Sequence, residues 1–283
     1  MSVTTSVPAP TSGSVPGPGR PAGPERARRA VVPAVLRQSG TLAWRGIVKT
    51  VHSPEALLDV TLQPVIFLLL FVYVFGGAIA GDTHSYLQFA LPGVLVQTVV
   101  FASVGTGINL ADDRHTRIFD RFRSLPISRA APLLGAIGAD LVRYLISGVI
   151  MVAFGTVLGF RFHSGPLAVL GGLAVVLVFS FAMCWVFTAL AMVVSDPRSV
   201  QGMSFMVIMP LTFGSNVFVP AATMPAWLRG WAEINPVSRV ADTVRGLYLG
   251  GPVAGPLLGV LGWAAAIMAV FAPLAVALYR RRA

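Results

Sequence analysis

The sequence predicts an all-α membrane protein with six transmembrane helices, and three observations predict it. Apolar residues make up 55% of the 283 residues and charged residues only 11%, against roughly 25% charged in an average soluble domain. Mean hydropathy is +0.77. The apolar residues fall into runs long enough to cross a bilayer, which takes roughly 20 helical residues. A soluble fold of this size would leave much of that surface in water, so water-soluble enzymes and binding modules are excluded. The single cysteine, Cys184, excludes an intrachain disulfide.

Residues 1–33 are rich in Pro, Gly, Ser and Ala, end in Arg26, Arg28 and Arg29, and carry no apolar signal-peptide core. They are expected to form a disordered cytoplasmic tail near anionic lipid. Over 34–52, Ala43, Ile47 and Val51 share one helical face, and Arg45, Lys49 and His52 share another. This reads as an amphipathic helix lying on the membrane surface; a plain basic flank is the alternative.

A six-span domain follows over 34–283. Ser53-Pro54 offers a cap with proline at the first helical position. Span one covers about 57–80 and is uncharged from 60. Gly81 to Ser85 is a short turn, and 86–110 is span two. The loop 111–130 is strongly charged. Span three is 131–158, with Asp140 and Arg143 placed near its start, at the cytoplasmic edge. Span four is about 167–194. Asp196 then caps span five, which opens at Pro197 and runs to about 219. Residues 220–252 are mixed, and span six, about 256–279, is stopped by Arg280, Arg281 and Arg282.

Orientation follows from the cations. With a cytoplasmic N-terminus, seventeen of the 21 Lys and Arg residues lie inside and four lie outside, namely Arg161, Arg229, Arg239 and Arg245. The positive-inside rule therefore puts both termini in the cytoplasm of a cell (plasma) membrane protein. The same split accounts for the net charge of +10 without a nucleic-acid partner.

Chemistry is conspicuous by its absence. A phosphate-binding loop needs G-x-x-x-x-G-K-[ST], but around the sole lysine, Lys49, Val48 and Ala43 occupy the glycine positions. No nucleotide, catalytic or metal site is expected. The four histidines flank spans and do not cluster. Spans one, two, four, five and six carry no mid-membrane acid or base, which argues against a proton-coupled pump or an ion channel. Such a transporter draws its energy from elsewhere.

Two segments stand out. In the inner loop, Ile118, Phe122 and Leu125 line one helical face, Arg114, Arg117 and Arg121 line another, and Pro126 ends the helix. Tied at both ends to membrane helices, it is suited to press into a groove of a cytoplasmic partner; an ordinary positive-inside loop fits equally well. In the outer segment, Trp227, Trp231 and Ile234 share a face. Asn235 caps a second helix opening with Pro236, in which Val240, Val244 and Leu247 share a face. These helices are too polar to span and suit a re-entrant hairpin; an interfacial aromatic belt is the alternative.

The run D-R-F-R-S-L-P-I-S-R over 120–129 resembles the loop signature of type-two ABC export permeases, in the daunorubicin-resistance branch. The stretch M-P-x-W-L…A-E-x-N-P-V-S…L-G-G-P between Met224 and Pro252 resembles that branch before its last span. One position departs: Arg117 stands four after Asp113, where the family usually has glycine. The resemblance implies a permease half-transporter for a hydrophobic drug or natural product. It implies a second permease subunit, as homodimer or heterodimer, and two copies of a cytoplasmic ATP-binding subunit that hold the ATP and Mg. Asp113, Arg114, Arg117, Ile118, Phe119, Asp120, Arg121, Phe122 and Arg123 would form the coupling helix. The surface helix would be the interface helix, and Trp227, Trp231, Asn235 and Pro236 part of an outer gate.

For the cargo path, Met203 and Met206 on span five offer adaptable apolar surface, although lipid-facing packing explains them as well. Gln97, Asn109 and Asn216 either line that path or bond across helices. Competing readings are export of a lipid or glycan by the same machinery, an ion-coupled carrier and a membrane assembly factor.

Overall fold

The structure, a computed structural model, describes residues 54–115, 131–194 and 196–282. The tail, the surface helix over 34–52 and loop residues 116–130 lie outside the described residues. Within them every regular element is helical, and five helices are long and apolar enough to cross a membrane.

The first is continuous but not uniform. Helix α1, Pro54–Leu70, passes through one π turn, Phe71–Phe75, into α2, Gly76–Ala80. Such insertions are rare and concentrate at functional sites. Phe71 opens this turn, and its ring stacks on Phe218 at 4.1 Å between centroids. Tyr73 and Val74 stay on the exposed side with Leu62, Ile66 and Leu70, as expected of a lipid-facing helix.

Helix α3, Thr83–His115, is longer at both ends than the 86–110 expected. Asp82 is the cause at the start. Its carboxylate accepts the Ser85 N–H at 2.7 Å, so the helix begins at Thr83 and the turn shrinks. That bond holds the Asp82 carboxyl below its usual range. The 33 residues extend about 50 Å at 1.5 Å per residue. Helices α4, Ala131–Val157, and α5, Pro166–Val193, follow.

Helix α6 spans Pro197–Phe213 and stops six residues short of the expected end. Asp196 caps it as read, through the Ser199 N–H at 2.9 Å. The early stop lies at Gly214, where any Cβ would sit 2.5 Å from the Pro210 carbonyl and 2.6 Å from the Trp231 indole nitrogen. Beyond it, the Asn216 N–H donates to the Ser238 hydroxyl at 3.2 Å. The apolar look of 217–219 therefore reflects packing against another helix, not a longer span.

A single 3-10 turn, Ala221–Thr223, leads to α7, Ala226–Ile234, then α8, Pro236–Leu249, and α9, Ala254–Arg282. Helices α3 and α5 form the centre. Around them, α9 and α8 cover α5, while α4, α6 and α8 cover α3. Their shared core holds Leu91, Leu95, Val99, Phe179, Phe187 and Val244. Leu258, Leu261, Val270 and Leu274 of α9 face outward, the surface that lipid would cover.

Candidate transport site

Two polar assemblies and one cavity lie along α3. The outer assembly begins at the α7–α8 elbow. Asn235 caps α8 by accepting the Val237 N–H at 2.9 Å. Its amide nitrogen donates to the Leu211 carbonyl of α6 at 2.8 Å. Pro236 follows at the first helical position and is buried, so the elbow sits in packed structure. The α7 face of Trp227, Trp231 and Ile234 is exposed, Trp227 at 76%, which fits an aromatic belt. The Trp263 indole of α9 donates to the Ile234 carbonyl at 3.0 Å and ties the elbow to the last helix. Arg229 spreads its guanidinium over the Ala221 and Ala222 carbonyls at 3.1 and 2.7 Å.

At the centre of this assembly is Arg245. Its guanidinium donates to the Asn216 and Val217 carbonyls at 2.8 and 3.0 Å and to the Phe89 carbonyl at 3.1 Å. It also pairs with Asp242 at 3.2 Å and lies 3.9 Å over the Phe89 ring. One side chain thus joins α3, α8 and the segment after α6. Tyr86 adds a bond from its hydroxyl to the Phe218 carbonyl at 2.9 Å, beneath the Phe71–Phe218 stack. Sequence reasoning placed Arg245 merely among the outer cations. The available signal was the Asp242–Arg245 spacing of three, the same as in the Asp140–Arg143 pair.

The inner assembly is built on that second pair. Asp140 is buried inside the bundle, six residues past Leu134, where the apolar run begins, or about 9 Å inward. One carboxylate oxygen accepts from Thr106 of α3 at 2.6 Å and the other from Arg143 at 2.9 Å. The Tyr144 hydroxyl lies 2.8 Å from the Thr106 hydroxyl and 3.0 Å from the Ala102 carbonyl. Both Asp140 oxygens are engaged, so the buried acid fastens α4 to α3. A charge near a helix start normally reaches water, whereas this one is buried with a partner at each oxygen.

Beside the inner assembly, α1, α3, α4 and α6 line a half-open cavity of about 360 Å³, within the usual size range of small-molecule sites. Gln97 lies in its buried part, and Asn109, Gln63 and Gln201 are exposed lining residues. Phe67, Phe101 and Phe205 supply aromatic walls, and Arg143 is the charged lining residue among the described residues.

Of the residues expected on a cargo path, Gln97 and Asn109 line this cavity. Asn216 belongs to the Arg245 assembly instead. Met203 and Met206 lie on the exposed side of α6, the latter at 79% exposure. Asp113 and Arg114 form the last turn of α3, and Arg114 donates to the Ala191 carbonyl at the end of α5. Arg117, Ile118, Phe119, Asp120, Arg121, Phe122 and Arg123 lie outside the described residues.

A family model for ABC-2 type transporters matches residues 37–249, a stretch that includes the inner loop, the cavity and the outer assembly. The chain belongs to the ABC-2 type transporter family. It is 44% identical over 261 residues to the daunorubicin resistance ABC transporter permease protein DrrB1 of Streptomyces coeruleorubidus, covering 92% of this chain and 91% of that one. It is also 26% identical over 219 residues to the doxorubicin resistance ABC transporter permease protein DrrB of Mycobacterium tuberculosis, covering 75% of each. An ABC-2 permease is a multi-pass membrane subunit of a transporter and is not itself an enzyme. The family places it in an ABC transporter system with an ATP-binding subunit.

Proposed function

We propose that this permease carries a hydrophobic drug or natural product outward, using ATP hydrolysed with Mg by a separate cytoplasmic subunit. Two permease subunits, alike or different, would stand on two ATP-binding subunits. Both termini would be cytoplasmic, and α6 with its following turn would serve as span five, completing the six. The drug-resistance names of the relatives support this cargo class.

One observation carries the mechanism. Helix α3 runs unbroken from Tyr86 and Phe89 in the outer assembly, past the cavity, to Asp113 and Arg114 at the coupling loop. A push on residues 112–126 from the ATP-binding subunit would act on one lever. Such a displacement shifts the cavity wall and strains the Phe89–Arg245 and Tyr86–Phe218 contacts together. The hairpin of α7 and α8 would then serve as the outer gate, held to α6 by the Asn235–Leu211 bond and to the segment after it by Arg245. The surface helix over 34–52 would act as the interface helix beside the same partner.

The test is ATP-driven uptake of daunorubicin into inverted membrane vesicles. Uptake is expected only with both the permease and the ATP-binding subunit present, and the purified permease alone should hydrolyse no ATP. Vesicles with both subunits that turn over ATP but accumulate no drug would overturn the cargo assignment.

A further inference from the structure

We propose that Arg239, at the seam between α8 and α9, holds the phosphate of an anionic phospholipid in the leaflet on the hairpin's side of the membrane. The site is separate from the cavity, which neither Arg239 nor Gly259 lines. The lipid would be a bound component of the permease and not its cargo.

Three observations argue for it. First, the guanidinium is open. Arg114, Arg143, Arg229 and Arg245 each set theirs on a carbonyl or a carboxylate, while Arg161 and Arg198 are exposed and reach water. Arg239 is half-buried, yet among the described residues its guanidinium has no carbonyl or acid partner, the exposed Glu233 of the same hairpin included.

Second, its stem is packed. A Cβ on Gly259 of α9 would lie 3.2 and 3.3 Å from the Cδ and Cγ of Arg239, so the methylenes rest on bare α9 backbone. Long basic side chains cover apolar surface in this way while the charged end seeks polar surroundings.

Third, the depth suits a headgroup. The apolar run of α9, Ala254–Tyr279, has 26 residues. It is about 39 Å long, roughly 9 Å more than the hydrocarbon core. Centred, the run overhangs the core by about 4–5 Å at each end, which puts Gly259 roughly 3 Å below the core's edge. Leu258 and Leu261 beside it are exposed, as acyl-facing residues are. The Trp263 indole, one turn further on, is held by the Ile234 carbonyl at 3.0 Å, an aromatic with one apolar and one polar end. The guanidinium therefore meets lipid phosphates before bulk water, and its fork of N–H donors matches a phosphodiester bidentately. An anionic headgroup is favoured because a zwitterionic lipid carries its own cation, which competes for the same phosphate.

The test is native mass spectrometry of the full-length permease in detergent, with dioleoyl phosphatidylglycerol, dioleoyl phosphatidylcholine or inorganic phosphate added. The parent should retain phosphatidylglycerol in clear preference to phosphatidylcholine, and inorganic phosphate should not displace it. Arg239→Gln should weaken phosphatidylglycerol binding by roughly tenfold, the worth of one charge-assisted hydrogen bond. Arg239→Lys keeps the charge without the fork and should weaken it by about threefold. Arg198→Gln, at the other end of α6 from the hairpin, should leave it unchanged. Unchanged binding in Arg239→Gln, an Arg239→Lys variant as weak as Arg239→Gln, or an equal loss in Arg198→Gln would overturn the assignment. Displacement by inorganic phosphate would overturn the lipid as the source of the phosphate, and equal retention of phosphatidylcholine would overturn the anionic preference.

Discussion

The amide nitrogen of Asn235 lies 2.8 Å from the carbonyl oxygen of Leu211, so the residue that caps α8 also holds the end of α6. Leu211 belongs to the last turn of its helix, where carbonyls lack intrahelical partners. Asn235→Ala removes both the cap and this bond and should cost about 2 kcal/mol. Asn235→Ser keeps a capping acceptor but is too short to reach Leu211, so it should fall between the parent and the Ala variant. The check is thermal unfolding of the purified permease in detergent. A Ser variant as stable as the parent would mean that the Leu211 bond contributes nothing.

Arg245→Met should be more damaging. It strips the Asn216, Val217 and Phe89 carbonyls of their donor at once, and a buried acceptor left without a donor typically costs about 1–3 kcal/mol. Asp242 is 39% exposed, so adding Asp242→Asn should recover only a small part. Chemical unfolding of the two variants measures the recovery. Full recovery would show that the ion pair, and not the carbonyl grip, is what matters.

Gly93 sits where α3 passes the turn after α6. A Cβ there would lie 2.6 Å from the Val217 carbonyl and 3.0 Å from the Arg245 guanidinium. Both neighbours are pinned, so Gly93→Ala should cost about 1–3 kcal/mol through overpacking and should depress export. Gly77→Ala meets nothing within 4 Å and should be neutral or slightly stabilising, since alanine favours helix. Paired measurements of melting temperature and vesicle uptake separate these outcomes; equal effects of the two substitutions would remove the close approach from the account.

Much of the architecture is legible in the amino acids, because its causes are local. The Asp196 and Asn235 caps stand directly before proline, and both appear where the sequence places them. The shared face of Val240, Val244 and Leu247 follows from helical spacing, and Val240 and Val244 are fully buried. The unread features depend on distant partners. The end of α6 at Phe213 depends on Trp231 and Ser238, seventeen or more residues away. The burial of Asp140 goes with its bond from Thr106, and Phe71, at the π turn, meets Phe218. Hydropathy cannot anticipate such meetings, since it weighs each residue without its neighbours in space. For the same reason Gln97 and Asn109 could be suspected of lining a path, while Asn216, of similar chemistry, belongs to a different assembly.

The central claim is that force enters through the loop after α3, and capture of the ATP-binding subunit tests it most directly. Tagged permease is reconstituted with that subunit, and capture, ATP turnover and drug uptake are measured for Phe122→Ala and Arg121→Glu. Truncating a well-packed interface aromatic costs about 2 kcal/mol, so Phe122→Ala should weaken capture roughly thirtyfold. Arg121→Glu should act similarly against an acidic groove. Membrane insertion should be unaffected, because neither residue belongs to an apolar run. Normal capture and normal uptake in both variants would contradict the account and leave the loop a tether between two spans.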